Sequence, residues 1–431
     1  MSSRPASRSL RAVFAIGFAF ATCQAQPPKA TGAASPRKAA AQISGITLVG
    51  SPVIVFDHLR DQQEPDNIPD APVTAWKNAD GTVNITIPSD EMYRMQGPDL
   101  EHLTMDPNKI FSSATQGNDI VEKHFNYHHW FLAPYTFDGQ AIYVLTHTEW
   151  YACLLLNDCG NSNYLVNSWE NSNNSLVSED GGASWALNVV NGSHVVAAAG
   201  DHWTGSRELK LRAYHKATNH SGIFTPSRLI KEGDHYYSIG FVIHRDFSKL
   251  DPKTEEAPID KYGYVLLRTA DVTNPAGWDA WVSGTTFDLI TQSDYGTFLP
   301  QQNGASLNSS QPQIIFDTNA QTYIAIFTQW GKNGGVYYMT SKSLAAPVWS
   351  DAQLISGTTK FRADPRGPRK ACNRGFWAGD YVSILDTNSP GMNFEFTSGT
   401  PWMFYAVDPS RCGGDNLARD LYRVQLSVTY K

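Results

Sequence analysis

Residues 232–239 read Glu-Gly-Asp-His-Tyr-Tyr-Ser-Ile, a tight turn running into an aromatic stretch. The device recurs at 138–145, Asp-Gly-Gln-Ala-Ile-Tyr-Val-Leu, and at 318–326, Thr-Asn-Ala-Gln-Thr-Tyr-Ile-Ala-Ile. Just before each stands a short apolar run, at 130–133, 227–230 and 313–316. Turn residues between two such runs specify β-hairpins. Each hairpin is followed by a further element of similar plan: 177–185 ending in Trp185, 267–271 leading to Trp278, and 339–343 leading to Trp349. The repeating unit is therefore a hairpin, a third strand, a turn and a fourth strand.

Two weaker copies bracket these three. One runs from about Gly45 to Ala114 around a hairpin at 79–87; the other starts near Arg374 and holds strands at 381–385, 402–407 and 421–429. Five four-stranded units on one chain predict an all-β fold, a five-bladed β-propeller, because radial repetition leaves only short, protected strand edges. Each unit would span roughly 80 residues, against the 40 to 50 of compact blades. The surplus is assigned to long rim loops at 153–174, 200–222, 245–261, 293–308 and 358–373, all rich in Gly, Asn, Ser or Asp. A two-sheet sandwich with appended domains is the rival architecture.

Composition agrees with strands and turns. The 431 residues include 12 Trp, 19 Tyr, 20 Phe, 33 Gly and 24 Pro, with only 17% charged. That excludes global disorder and is poor in the helix formers of bundles. With 34 basic against 41 acidic residues, the net charge is −7. No global field would gather nucleic acid or anionic lipid.

The first residues carry Arg4, Arg8 and Arg11 ahead of the apolar run 12–21 and a small-residue exit, Cys23-Gln24-Ala25. This is the pattern of a secretory signal peptide, too short to span a bilayer. Residues 1–25 are read as the signal, 26–42 as a Pro/Ala/Lys-rich disordered linker, and 43–431 as a single propeller domain. The protein is expected to be secreted or periplasmic, with lipid attachment at Cys23 as the minor alternative. Cys153, Cys159, Cys372 and Cys412 then remain, an even number that suggests disulfides; pairing within each unit gives Cys153–Cys159 and Cys372–Cys412. No CxxC or HExxH occurs, so a cysteine-based zinc site is not expected; no cofactor is expected, though a structural or pocket metal ion stays open.

Ser178-Glu-Asp-Gly-Gly-Ala-Ser-Trp185 resembles the Asp-box of sialidases and related propellers. Asp180 is expected to hold backbone amides across the turn, the glycines to supply positive φ, and Trp185 to pack between units. The wider repeat pattern resembles the five-bladed glycoside hydrolases, including the arabinanase and xylosidase group of family 43. Segments at 128–139 and 264–271 also look like those of uncharacterised bacterial exported proteins.

That resemblance implies a central pocket and glycosidic bond cleavage by paired carboxylates. Alternation along 142–150 puts His147 and Glu149 on one face of an otherwise apolar strand, where neither is tolerated without partners or water. Glu149 is the candidate acid, its pKa expected to rise beside Trp130 and Trp150; Asp99 is the candidate base or nucleophile and Asp380 a third carboxylate. Arg94, His129, His147, Trp130, Arg228 and Trp377 are the candidate substrate-binding residues, by hydrogen bonding or ring stacking. The basic run 360–370 is read as a solvated loop or a lid over an anionic sugar. A carbohydrate substrate is the expected partner, without nucleic acid or a transmembrane segment, and the chain is expected to be a monomer. The alternatives are a sialidase-type exo-hydrolase, with Arg94, Arg228 and Arg268 as an arginine cluster, and a non-catalytic carbohydrate-binding propeller.

Overall fold

The computed structural model describes residues 41–113, 124–151, 169–198, 220–254, 256–290, 296–297, 299, 311–329, 334–358, 379–407 and 417–431. Strands dominate it. After β1 (Ile43–Phe56), the first unit holds β2 (Ala75–Lys77), β3 (Val83–Ile87), β4 (Glu91–Gly97), β5 (Thr104–Met105) and the short β6 (Phe111–Ser112) on β4. The second holds β7 (His129–Thr136), β8 (Ile142–Tyr151), β9 (Trp169–Ser178), β10 (Ala186–Leu187) and β11 (Val195–Ala198). A parallel pairing of β9 with β12 (Ser221–Phe224) joins it to the third, which continues through β13 (Ile230–Glu232), β14 (His235–Arg245), β15 (Ile259–Thr269), β16 (Trp278–Ser283) and β17 (Thr286–Leu289).

The fourth unit is β18 (Gln313–Asp317), β19 (Thr322–Gln329), β20 (Gly335–Ser341) and β21 (Gln353–Leu354). The last contains β22 (Gly379–Leu385), β24 (Trp402–Val407) and β25 (Asp420–Tyr430), while β23 (Phe396–Thr397) pairs with β18. The hairpins expected from the three turn sequences are β7–β8, β13–β14 and β18–β19.

One assignment is corrected. The segment from Gly45 was placed in the first unit, yet β1 pairs antiparallel with β25, Ile46 opposite Val428, and so completes the last unit. First and last strands of the described chain thus share a sheet, which leaves no free β25 edge.

Five hydrophobic clusters join the units in cyclic order. Trp76, Met92 and Phe111 pack with Phe131, Ile142 and Trp185 between the first and second units. Tyr135 and Leu145 meet Tyr236, Val242 and Val265 between the second and third, and Tyr237 and Leu266 meet Ile314 and Tyr323 between the third and fourth. Ile324 and Ile326 meet Val382, Tyr405 and Leu426, and finally Leu385, Phe404 and Leu421 meet Ile85 and Met95, returning to the first unit. Strand periodicity makes this work: along β19, Tyr323 and Ala325 serve one cluster while Ile324 and Ile326 serve the other. A sheet covered on both faces needs apolar residues at every position, which explains the unbroken run Tyr-Ile-Ala-Ile-Phe. The all-β chain is a β-propeller.

The turn 178–185 behaves as structural. Asp180 Oδ1 accepts from the amides of Ala183 and Ser184, and its Oδ2 from the Ser184 hydroxyl at 2.6 Å. Trp185 meets Trp76 edge-on, with ring centroids 6.1 Å apart, at the junction of the first two units. Gly182, with φ +88°, lies so close to Trp76 that an added Cβ would stand 2.5 Å from its ring.

Candidate active site

A cavity of about 440 Å³ is walled by residues from all five units. Asp66 and Asp70 precede β2, Asp90 lies in the β3–β4 turn, and Trp130, His147, Glu149 and Tyr151 come from β7 and β8. Phe224 and Thr225 close the third side, Gln311 the fourth, and Tyr381 and Arg419 the fifth. His147, Glu149 and Tyr151 are alternate residues of β8, so the pleat aims all three at the same space.

Their polar atoms are coupled. Tyr151 donates its hydroxyl to Glu149 Oε2 at 2.6 Å, and His147 Nε2 lies 3.5 Å from Glu149 Oε1. Burial alone would raise the Glu149 carboxyl, but His147 and the Tyr151 hydroxyl outweigh it and hold the group below its ordinary value. The reading from aromatic surroundings had the sign reversed, because it counted the desolvation and missed the donors.

Asp66 goes the other way. Although Asp66 is exposed at the cavity wall, partial desolvation raises it, and the neighbouring charges of Asp90, Glu91 and Glu64 raise it further, against a smaller lowering by His128. Asp90 Oδ1 lies 2.5 Å from His128 Nδ1. The His128 ring is stacked on Trp130, with centroids 5.8 Å apart, and meets Tyr151 edge-on at 5.2 Å. On the far wall Asp70 Oδ1 accepts from the Tyr381 hydroxyl at 3.1 Å and from Arg419 Nη1. Burial lowers the Arg419 guanidinium to about 10.

The structure brings together Glu149, His147 and Trp130 and sets the other expected residues elsewhere. Asp99 sits beyond the C-terminal end of β4, whereas the cavity lies at the strand's N-terminal end, at Asp90. Its carboxylate accepts from the amides of Glu101 and His102 and contacts the His102 ring at 2.9 Å, so it caps a turn and is no partner for Glu149. Asp380 is buried in β22, accepts from the Tyr381 amide and does not line the cavity.

Arg94 is likewise spent on structure: its Nε meets Asp106 at 3.0 Å and its Nη1 the Gly181 carbonyl at 3.2 Å. Arg228 is fully committed to the carbonyls of Phe394 and Ile384, where burial lowers it to about 10. His129 is buried between Thr146 and Asn126, and desolvation pushes its pKa well down, so it is neutral and points away from the cavity. His128, one residue earlier, takes the position beside the site; its φ of +51° turns the chain before β7 begins. Trp377, the basic run 360–370, the four cysteines and the N-terminal 40 residues lie outside the described residues.

Asp66, Asp70, Asp90, Tyr381 and Arg419 were not anticipated. Their one trace in the sequence is Asp66-Asn-Ile-Pro-Asp70-Ala-Pro, two acids in a proline-bracketed approach to the first repeat strand, which reads as an ordinary loop. Among the described residues, one group has ligand atoms close enough for a metal ion, Asp57, His58 and Asp420, and it does not line the cavity. No described helix is long and apolar enough to cross a membrane.

No protein-family model matches the chain, and no curated protein does. Among solved structures, a protein of unknown function from Dyadobacter fermentans is similar at 10% identity and a TM-score of 0.44, covering 90% of this chain and 100% of that one. The endo-1,5-alpha-L-arabinanase of Thermotoga petrophila is similar at 10% identity and a TM-score of 0.46, over 87% of this chain and 72% of the other. The Cellvibrio cellulosa alpha-L-arabinanase gives 11% identity and a TM-score of 0.44, over 83% and 90%.

Proposed function

We propose that the chain is an exported five-bladed glycoside hydrolase acting on a poly- or oligosaccharide, with this cavity as its active site. One observation carries the reading: one cavity gathers Glu149, held by the Tyr151 hydroxyl at 2.6 Å, with Asp66, Asp70 and Asp90 from the first unit, and the surroundings push the Asp66 proton affinity up and that of Glu149 down. Glycosidic cleavage needs one carboxyl that keeps its proton for the leaving oxygen and one that is ionised to attack or to activate water. Asp66 fits the donor and Glu149 the base or nucleophile. His147 and Tyr151 hold Glu149 in its charged form, and Trp130, buried against the His147 and His128 rings, backs that wall of the cavity.

The test is a pair of isosteric variants, Asp66→Asn and Glu149→Gln, assayed against arabinan, xylan and uronate-containing polymers alongside the parent. Each variant is expected to lose about 10²- to 10⁴-fold in turnover, the usual weight of a positioned acid or base, while glycan binding persists. Binding without turnover in the parent itself would instead make this a carbohydrate-binding module. The sialidase alternative gains a Tyr–Glu pair in Tyr151 and Glu149 but loses its arginines. Arg94 and Arg228 are engaged as described, and Arg268 lies 3.5 Å from Asp279 and over the Phe287 ring.

A further inference from the structure

β9 contains a run with no apolar side chain, Glu170 to Ser175, every member of which is buried. Such a strand must satisfy its polar groups internally, and one of them reaches the loop that carries His128. Asn174 Nδ2 donates to the Phe125 carbonyl at 3.2 Å, to Thr148 Oγ1 at 3.1 Å and to Ser172 Oγ at 3.2 Å. The same carbonyl contacts His194 Nε2 at 3.0 Å. Phe125 and His128 both have left-handed backbones, φ +50° and +51°, which non-glycine residues hold only when their surroundings impose it. The loop's other end is pinned by His129, whose ring contacts Asn126 and whose amide donates to Ser113 Oγ at 2.8 Å.

We propose that Asn174 is a positioning residue of the cavity: it holds the Phe125 carbonyl and so fixes the strained turn that sets His128 against Asp90. Asn174 has no exposed surface and does not line the cavity, so any effect on the site runs through the loop. The groups facing His128 are Asp90 at 2.5 Å, the rings of Tyr127, Trp130 and Tyr151, and the charges of Asp66, Glu149 and His129. Asp66 senses the arrangement from both sides, since Asp90 strengthens its hold on the proton and His128 weakens it. A displaced His128 leaves Asp90 uncompensated, and the Asp66 carboxyl then titrates at higher pH.

The inference rests on Asp66 as proton donor, but its measurement needs no turnover. The Asp66 carboxyl is followed by ¹³C NMR titration of the full chain, its resonance identified by loss in Asp66→Asn. Asn174→Leu and His128→Gln are each expected to move the Asp66 midpoint upward, because the lowering influence of His128 on that carboxyl is lost. The double variant is expected to move it no further than His128→Gln alone, and Asn174→Gln, which restores a donor, to reverse most of the shift. An Asp66 midpoint unmoved by Asn174→Leu, or a shift of the same size in the His128→Gln background, overturns the proposal. Asn174→Ser, shorter but still polar, carries the same test should the leucine variant fail to fold. A chain that turns over no glycan while Asn174→Leu still shifts Asp66 refutes the hydrolase and keeps the positioning role; the reverse result does the opposite.

Discussion

Glu149 shows how far a single residue's chemistry can be read from its neighbours in sequence. Strand alternation correctly put it beside His147, since both line the cavity. Its ionisation was misjudged because only the desolvation was counted: His147, on the same face, is the largest lowering influence, and the Tyr151 hydroxyl, two residues on, adds to it. The pair also makes a directional prediction. Tyr151→Phe removes the 2.6 Å hydrogen bond to Glu149 Oε2 and with it part of what holds the carboxyl down. The acidic limb of the pH–rate profile should therefore move to higher pH, with the alkaline limb, set by Asp66, moving little; an unmoved acidic limb would remove Tyr151 from the site. In the parent, Glu149 must be ionised and Asp66 protonated. Activity is thus expected to rise as pH passes up through the lowered Glu149 value and to fall through the raised Asp66 value, giving a bell-shaped profile. A profile flat into the alkaline range would contradict Asp66 as donor.

At the scale of elements, hairpins with a turn signal and alternating apolar residues were legible, and β9 was not. Its N-terminal half, Trp169 to Asn174, was read as part of a rim loop because Glu-Asn-Ser-Asn-Asn carries turn residues and no hydrophobic period. It forms a strand because β8 on one side, and β11 and β12 on the other, supply backbone partners for the whole run. Side chains then satisfy one another: Thr148 Oγ1 and Ser172 Oγ lie 2.6 Å apart, and Asn188 Nδ2 donates to Ser175 Oγ at 3.0 Å. Local propensity loses here to tertiary pairing. Asp99 failed for the related reason that a sequence shows which residues turn but not at which end of a strand the site will open. The buried network predicts that Thr148→Val, nearly isosteric, costs about 1 to 3 kcal/mol by removing one hydrogen-bond partner each from Ser172 and Asn174. Adding Ser172→Ala should recover part of that loss. Denaturant unfolding measures both, and a neutral Thr148→Val would show that the hydroxyls are satisfied in some other way.

For the whole molecule, cyclic packing makes stability collective. Every unit contributes to two clusters, one with each neighbour, so no unit can open without exposing two cores at once. In a linear array an end unit would expose only one and could fray alone. Ile324→Ala in the fourth unit and Ile85→Ala in the first, both fully buried, should each cost about 2 to 5 kcal/mol. Both should lower the same single transition, not split off a separate early one. The ring is held shut by β1 on β25, with Ile46 in the cluster between the fourth and fifth units and Phe56 in the one between the fifth and first. Removing residues 43–56 therefore breaks into two cores and bares the eleven-residue edge of β25, an open template for another chain. The truncated protein should lose its cooperative transition and associate, seen by calorimetry and light scattering. If it stayed monomeric with its melting temperature unchanged, closure by β1 would contribute nothing, and the cavity shared by all five units would need another explanation for its integrity.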